Sequence, residues 1–337
     1  MRRYEFASFG LDQLKIVERE DPTPGPGEVV LDVEAFSLNY RDLLVVKGSY
    51  NPNIALPATP ASDAAGTIAA TGEGVSRVRP GERVMTHFIS DWIEGPFEKR
   101  YVASTLGVPG PGVAAEKVVL PERAVLKVPR NLDASGASTL PIAALTAWSA
   151  LVTEGRLEPG QWVLTLGTGG VSVFVIQLAK ALGARVIVTS SSDEKLERAR
   201  ALGADVLVNY RKSPRWDKDV LDATKGQGAD IVVETGGIAT MSASLKAARA
   251  GGLVAVLGGV TGLSGEVNIA PLTMKRLRVL GILVDSRANF EKLVAFLDEH
   301  PLEPAIDRRF PFEELPDALR HMEAGAHFGK IVVAGGR

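Results

Sequence analysis

The sequence predicts an α/β protein in which a mostly antiparallel β domain precedes a doubly wound parallel sheet, and three observations carry that reading. The first hundred-odd residues hold short apolar runs, such as Val29-Val30-Leu31, between the turn signals Pro24-Gly25-Pro26-Gly27, Pro80-Gly81 and Pro109-Gly110-Pro111-Gly112. Short strands joined by tight turns follow from that texture. Beyond Leu140 short apolar runs instead alternate with helical stretches, the pattern of parallel βαβ units. The length, 337 residues, suits two domains.

Taken in order, residues 141–152 are apolar and Ala-rich and predict a buried helix. A strand over 162–166 leads through Gly167-Thr168-Gly169-Gly170 into a helix over 171–182. The next strand covers 185–189 and the next helix 194–202, with Ser191 and Glu194 at the spacing of a capping box. Strands over 206–208, 230–233 and 253–257 and a helix over 241–249 continue the alternation. A strand over 278–283, helices over 289–299 and 313–324 and a strand over 330–333 finish the chain. The expected division is 1–123 for the β domain and 124–270 for the doubly wound domain. Residues 271–337 return to complete the edge of the parallel sheet and the first domain.

Composition excludes several classes. Lys+Arg at 38 against Asp+Glu at 40 leaves a net charge of -2 without a basic stripe, which argues against nucleic-acid and anionic-membrane partners. No apolar run resembles a signal peptide or a membrane span, so a cytoplasmic protein is expected. Cysteine is absent, which removes disulfides, thiolate catalysis and cysteine-built zinc sites. The four histidines (His87, His300, His321, His327) include no pair at the i, i+4 spacing of a helix-borne metal site. No metal is expected.

The strongest chemical signal is Gly167-x-Gly169-x-x-Ser172 between a predicted strand and a predicted helix. The first glycine permits the tight turn, the second lets backbone approach a pyrophosphate, and the third position must be small for helix–strand packing. Gly170 and Val171 then open the helix whose N-terminal amides would hold the pyrophosphate. Enzymes that use NAD place an acidic residue at the end of the following strand, whereas Ser190 stands there within Thr189-Ser190-Ser191-Ser192. Hydroxyls tolerate a 2′-phosphate and Lys195 supplies positive charge, so NADPH is expected over NADH. The alternative is that these serines only cap the following helix.

Over essentially the whole chain the sequence resembles the medium-chain dehydrogenase/reductases, in their zinc-independent, quinone-oxidoreductase-like branch. The resemblance is carried by Pro24-x-Pro26-Gly27-Glu28-Val29, Ser37-Leu38-Asn39-Tyr40-Arg41-Asp42, Arg79-Pro80-Gly81-Glu82-Arg83-Val84, the segment from Leu140 to Trp148, Gly167 to Ser172, and His327-Phe328-Gly329-Lys330. It implies a GroES-like catalytic domain, a Rossmann domain with a cleft between them, and a homodimer, for which sheet-edge pairing through Val279-Leu280-Gly281 is the expected contact. It also implies that Thr146 and Tyr210 contact the cofactor, and that Val284, Ser286 and Arg287 lie in the segment that meets the nicotinamide carboxamide. Gly236, Gly258, Gly259 and Val260 would sit in loops at the carboxyl edge of the sheet, where dinucleotides bind. The places that hold catalytic zinc in metal-using relatives match Asn39, Ser62 and Ile142, none of them a zinc ligand.

Without a metal to polarise a carbonyl, the residues left suit a lighter task. A quinone or an α,β-unsaturated carbonyl is already electron-poor and accepts hydride with only hydrogen bonds to its oxygen. Asn39 can donate an amide hydrogen bond and Tyr40 and Tyr50 a phenolic one, while Arg41 could orient a polar substrate. The relatives place this Asn beside the nicotinamide. For the two tyrosines ordinary packing is the competing account. The expected activity is hydride transfer from NADPH to a small-molecule acceptor of this kind. A zinc-free alcohol dehydrogenase or aldehyde reductase, and an NADPH-binding protein without turnover, are the alternatives.

Overall fold

The computed structural model describes residues 1–336 and divides into two compact units, residues 1–145 with 285 onward, and Thr146–Val284. Along the chain, the first unit opens with β1 (Arg2–Glu5) and β2 (Lys15–Glu18), an antiparallel pair. It continues with β3 (Glu28–Leu38), helix α1 (Tyr40–Val46), β4 (Asp63–Thr71), β5 (Arg83–Thr86), β6 (Lys117–Pro121), β7 (Val125–Lys127) and the short helix α2 (Ala134–Ala137). Helix α3 (Leu145–Trp148), flanked by the π-type turns Leu140–Ala144 and Ser149–Thr153, spans the point of division.

The second unit alternates strictly. Its order is β8 (Trp162–Leu166), α4 (Gly170–Ala181), β9 (Arg185–Ser190), α5 (Asp193–Ala201), β10 (Val206–Asn209), α6 (Trp216–Ala223), β11 (Ala229–Glu234), α7 (Ile238–Ala247), β12 (Ala248–Val256), α8 (Ala270–Met274) and β13 (Arg278–Gly281). The chain then returns to the first unit with α9 (Arg287–Glu299), β14 (Ile306–Phe310), α10 (Leu315–Glu323) and β15 (Lys330–Ala334).

In the second unit all six strands are parallel in the order β10-β9-β8-β11-β12-β13. Counted from its own first strand this is 3-2-1-4-5-6, the Rossmann arrangement, in which the order reverses beside β8 and leaves a crevice at the carboxyl ends. The strands are apolar on both faces because helices cover both, as parallel sheets require. Leu164, Ile187, Val232 and Val254 are buried in one cluster with Val220 and Leu245.

In the first unit, a mostly antiparallel sheet runs β14-β15-β3-β4-β5-β7, with β6 also paired to β3. The eleven-residue β3 is its spine, and Val29, Leu31 and Phe36 bury against Ile331, Val333, Phe310 and Phe312. Helix α10 adds Leu315, Ala318, Leu319 and Met322, an i, i+3, i+4, i+7 stripe that faces this core. Both predicted sheets are therefore present.

The expected boundaries differ from the observed ones for identifiable reasons. Residues 124–145 belong to the first unit because β7 pairs with β5. Residues 271–284 belong to the second because β13 adds in parallel to β12. Helix α5 begins two residues on from the predicted cap: Ser192, not Ser191, is its N-cap, accepting from the Lys195 amide at 3.3 Å. Helix α9 likewise begins at Arg287, with Ser286 accepting from the Asn289 amide at 3.3 Å.

Candidate active site

The glycine-rich turn lies where β8 hands over to α4. Gly167 has φ +75°, a backbone conformation that L side chains rarely adopt. Gly169 is the N-cap of α4 and supplies no side-chain acceptor, so the first amides of a twelve-residue helix are left for another partner. A Cβ at Gly169 would meet nothing within 4 Å, so the space before those amides is open. Gly170 and Val171 form the first turn. Ser172 faces the other way: it is buried and its hydroxyl donates to the Leu166 carbonyl at 2.9 Å, which makes it the packing position of the motif. An open cradle of amides at a helix N-terminus fits a pyrophosphate.

The adjoining strand ends extend this edge. Ser190 closes β9, is buried, and accepts from the Ser192 amide at 3.3 Å, while the Tyr210 amide donates to its carbonyl at 3.1 Å. Tyr210 is exposed, Lys195 is half-buried in the first turn of α5, and Arg211 beside Tyr210 is exposed. Asp193 is tied to Lys212 at 2.6 Å and to Asn209 at 2.7 Å, and these bonds hold its carboxyl below the usual range. The nearby acidic charge is thus partly neutralised by Lys212, just beyond β10. Arg211 and Lys212 add positive charge beside this strand end that sequence reasoning missed, because they lie beyond the expected strand.

Further along the edge, Glu234 at the end of β11 is fully buried. Its Oε1 accepts from the Gly236 amide at 2.7 Å, the Gly237 amide at 2.9 Å and the Thr240 hydroxyl at 2.7 Å, and its Oε2 from Ser244. One carboxylate therefore fixes the loop that carries Gly236. Gly258 must lack a side chain, since a Cβ there would collide with the Thr235 carbonyl. Gly259 is half-buried and Val260 is exposed in the same loop. Thr146 and Val284 are buried in this unit, and the Thr146 hydroxyl reaches the Leu283 carbonyl only at 3.5 Å.

In the first unit the sheet end beside α1 gathers the other predicted residues. The three places matched to metal ligands converge on one carboxylate, Asp63, at the start of β4. Asn39 Nδ2 donates to its Oδ2 at 2.9 Å, the Ile142 amide to the same oxygen at 3.1 Å, and the Ser62 hydroxyl to Oδ1 at 3.0 Å. Asn39 Oδ1 accepts from Lys330 Nζ at 2.7 Å, and Lys330 also donates to the Leu38 carbonyl at 2.8 Å. The Asp42 carboxylate accepts from the Asn39 amide at 2.8 Å and from Arg41 at 3.2 Å. Lys330, Asp63 and Asp42 are buried, whereas Asn39 is half-buried. Burial pushes Asp63 up to about 6, against the charge of Lys330 and the bond from Asn39. Burial likewise raises Asp42 and lowers Lys330.

An amide, a hydroxyl and an aliphatic side chain grouped on a hydrogen-bonded carboxylate do not make a zinc site. Among the described residues no group of three His, Cys, Asp or Glu is placed to hold a metal ion.

Several expectations are corrected here. Asn39 is not a freely available amide, since its oxygen and one N–H are committed. Arg41 is not placed to orient a substrate: its guanidinium lies between the rings of Tyr50 at 4.9 Å and Phe88 at 5.0 Å and bonds to the Leu106 and Val108 carbonyls. Ser286 caps α9, and Arg287 is a buried donor to the Arg123 carbonyl and to Glu291. Tyr40 and Tyr50 are 47% and 46% exposed, which leaves their phenols accessible.

With this geometry in place, comparison with known proteins decides the family. The profile described as the alcohol dehydrogenase GroES-like domain matches residues 25–130, and that described as zinc-binding dehydrogenase matches residues 170–299. A zinc-type alcohol dehydrogenase-like protein of Schizosaccharomyces pombe is 39% identical over 96% of this chain and 96% of its own length. The chain belongs to the medium-chain dehydrogenase/reductases. It is an NAD(P)-dependent oxidoreductase of that family. The crystal structure of a putative alcohol dehydrogenase from Sinorhizobium meliloti superposes with a TM-score of 0.94 at 43% identity, covering 99% of this chain and 98% of that one. A chloroplast envelope quinone oxidoreductase homolog of Arabidopsis thaliana is 29% identical over 98% of this chain and 97% of its own. Zinc-type names among these dehydrogenase/reductases do not carry over to the Asn39, Ser62 and Ile142 positions of this one.

Proposed function

We propose that this dehydrogenase/reductase carries out hydride transfer from NADPH to a quinone or an α,β-unsaturated carbonyl. The observation that carries the reading is that Asn39, Ser62 and Ile142, at the places where metal-using relatives have ligands, converge on Asp63 and leave one Asn39 N–H to donate where those relatives have a Lewis acid. NADPH, when bound, supplies the hydride. The first-turn amides of α4 hold its pyrophosphate. Ser190, Lys195, Tyr210 and Arg211 receive the 2′-phosphate, at a strand end without an acidic side chain to repel it. The uncommitted N–H of Asn39 and the phenols of Tyr40 and Tyr50 donate to the acceptor oxygen as charge develops there.

A conjugated acceptor needs no more than that, because it spreads the incoming charge over its own atoms. A second reading is favoured by the names of the Schizosaccharomyces and Sinorhizobium relatives: a zinc-free alcohol dehydrogenase or aldehyde reductase. The two separate in a steady-state panel of quinones, enones, aldehydes and ketones followed by NADPH absorbance. Turnover led by quinones or enones supports the first reading, and turnover confined to simple alcohols, aldehydes and ketones the second.

No helix among the described residues is long and apolar enough to cross a membrane. The reading places the protein in the cytoplasm as a homodimer. Strand β13 ends its sheet with Val279 and Leu280 exposed, and pairing of two such edges would cover them.

A further inference from the structure

Three neighbouring strands bring their ends together beside α1. Antiparallel pairing sets Ile331 of β15 opposite Leu38 of β3, and Ser37 of β3 opposite Asp63 of β4. Lys330, Asn39 and Asp63 therefore lie side by side across one end of the sheet. A lysine ammonium only donates and a carboxylate only accepts, so the amide between them has one permitted orientation. Its oxygen faces Lys330 and its nitrogen faces Asp63. Turning the amide over would set donor against donor and acceptor against acceptor, both buried.

The surrounding charges are balanced. Asp63 comes from β4, Asp42 and Arg41 from α1, and Lys330 from β15, two cations with two anions. Lys330, Asp63 and Asp42 are each less than 3% exposed, so Asn39 is their route to the accessible surface. One N–H of its amide remains uncommitted by any of these bonds.

We propose that Lys330 and Asp63 are positioning residues that clamp the Asn39 amide from its two ends, and that turnover depends on both of them through Asn39. The proposal rests on the donor role given to Asn39 above. Its mechanism is preorganisation: a donor that is already aimed need not reorganise as charge develops on the acceptor oxygen.

The test is a double-mutant cycle on the full chain with NADPH and a small para-quinone. Lys330→Met and Asp63→Ala, which remove the donor at one end of the amide and the acceptor at the other, should each lower kcat about tenfold, as expected for a misaligned catalytic donor, and change NADPH affinity by titration calorimetry much less. In an Asn39→Ala background neither substitution should lower kcat further. Unchanged kcat in both single variants, or equal losses with and without Asn39, would overturn the proposal.

Crystal structures of the two single variants give a second readout that needs no turnover. The Asn39 side chain should rotate away from its parent orientation in at least one of them, and an unmoved amide in both would also overturn the proposal. If one of the two variants does not fold, the other decides alone. A parent protein that reduces no quinone or enone would refute the functional reading while the structural arm still judged the clamp.

Discussion

Glu234 offers the sharpest quantitative prediction, because one buried carboxylate holds two amides of the loop proposed to meet the cofactor and two hydroxyls of α7. Replacing it with alanine strands the Gly236 and Gly237 amides, which have no rotatable bond with which to find another acceptor. The two hydroxyls are cheaper, since Thr240 already reaches the Gly237 carbonyl at 3.1 Å and Ser244 can turn. The buried Gly237 amide and the half-buried Gly236 amide, left unsatisfied at about 1–3 kcal/mol each, give a loss of about 3–4 kcal/mol for Glu234→Ala. Glutamine keeps the shape. Its oxygen can take the three donors now on Oε1, and its nitrogen can face Ser244, whose hydroxyl is able to accept. Each bond then weakens from charge-assisted to neutral, by roughly 1 kcal/mol, while the cost of burying a charge disappears, so Glu234→Gln should lose about 1–2 kcal/mol. Urea unfolding measures the two losses, and native-state hydrogen exchange at Gly236 and Gly237 locates them. NADPH affinity should fall with the alanine variant as its loop loosens. An alanine variant within about 1 kcal/mol of the parent, with both amides still protected, would refute this account of the loop.

Three further outcomes are expected. Ser190→Asp should reverse the cofactor preference, because a carboxylate about 4 Å from the 2′-phosphate costs roughly 4 kcal/mol per charge pair at an effective dielectric of about 20. Equal affinities for NADPH and NADH in the parent, or an unchanged ratio in the variant, would contradict it. The purified protein should carry no stoichiometric zinc and keep its activity with a chelator, checked by elemental analysis; one zinc per chain with activity lost on chelation would contradict the donor set described at Asp63. Asp63 is raised to about 6 in the folded chain and titrates near 4 when unfolded. Its ionisation therefore disfavours folding as pH climbs from 4 through 6, and the neutral Asp63→Asn should gain stability relative to the parent over that window. Denaturant midpoints at pH 4.5 and 7 whose difference is the same in both proteins would show that Asp63 does not titrate there.

Much of the architecture was legible because local patterns repeat its logic. The glycines at 167 and 169 sit between a run of period-free apolar residues and a helical one, and the structure places a strand, a turn and a helix there. Asp63 and Lys330 were not legible as a buried network. A lysine that opens a short C-terminal strand reads as solvated, and only the pairing of β15 with β3 puts it under Asn39. Glu234 did leave a signal. Thr240 and Ser244 are four apart on one face of α7, the spacing that lets a helix point two hydroxyls at one carboxylate. Ser286 and Arg287 have local uses that the sequence reading did not name, a helix cap and a buried contact to the Arg123 carbonyl. The domain boundary was misplaced because the three residues of β7 are too few to announce a strand.

The central claim is that hydrogen bonds alone serve the acceptor oxygen, and a matched pair of acceptors tests it most directly. 2-Cyclohexenone and cyclohexanone share ring size and oxygen placement and differ in conjugation. With NADPH saturating, kcat/KM for the enone should exceed that for the saturated ketone by at least about a hundredfold, the rate equivalent of about 3 kcal/mol of charge stabilisation. Asn39→Ala should lower the enone rate by lowering kcat. A saturated ketone reduced as fast as the enone, with the rate indifferent to Asn39, would contradict the account.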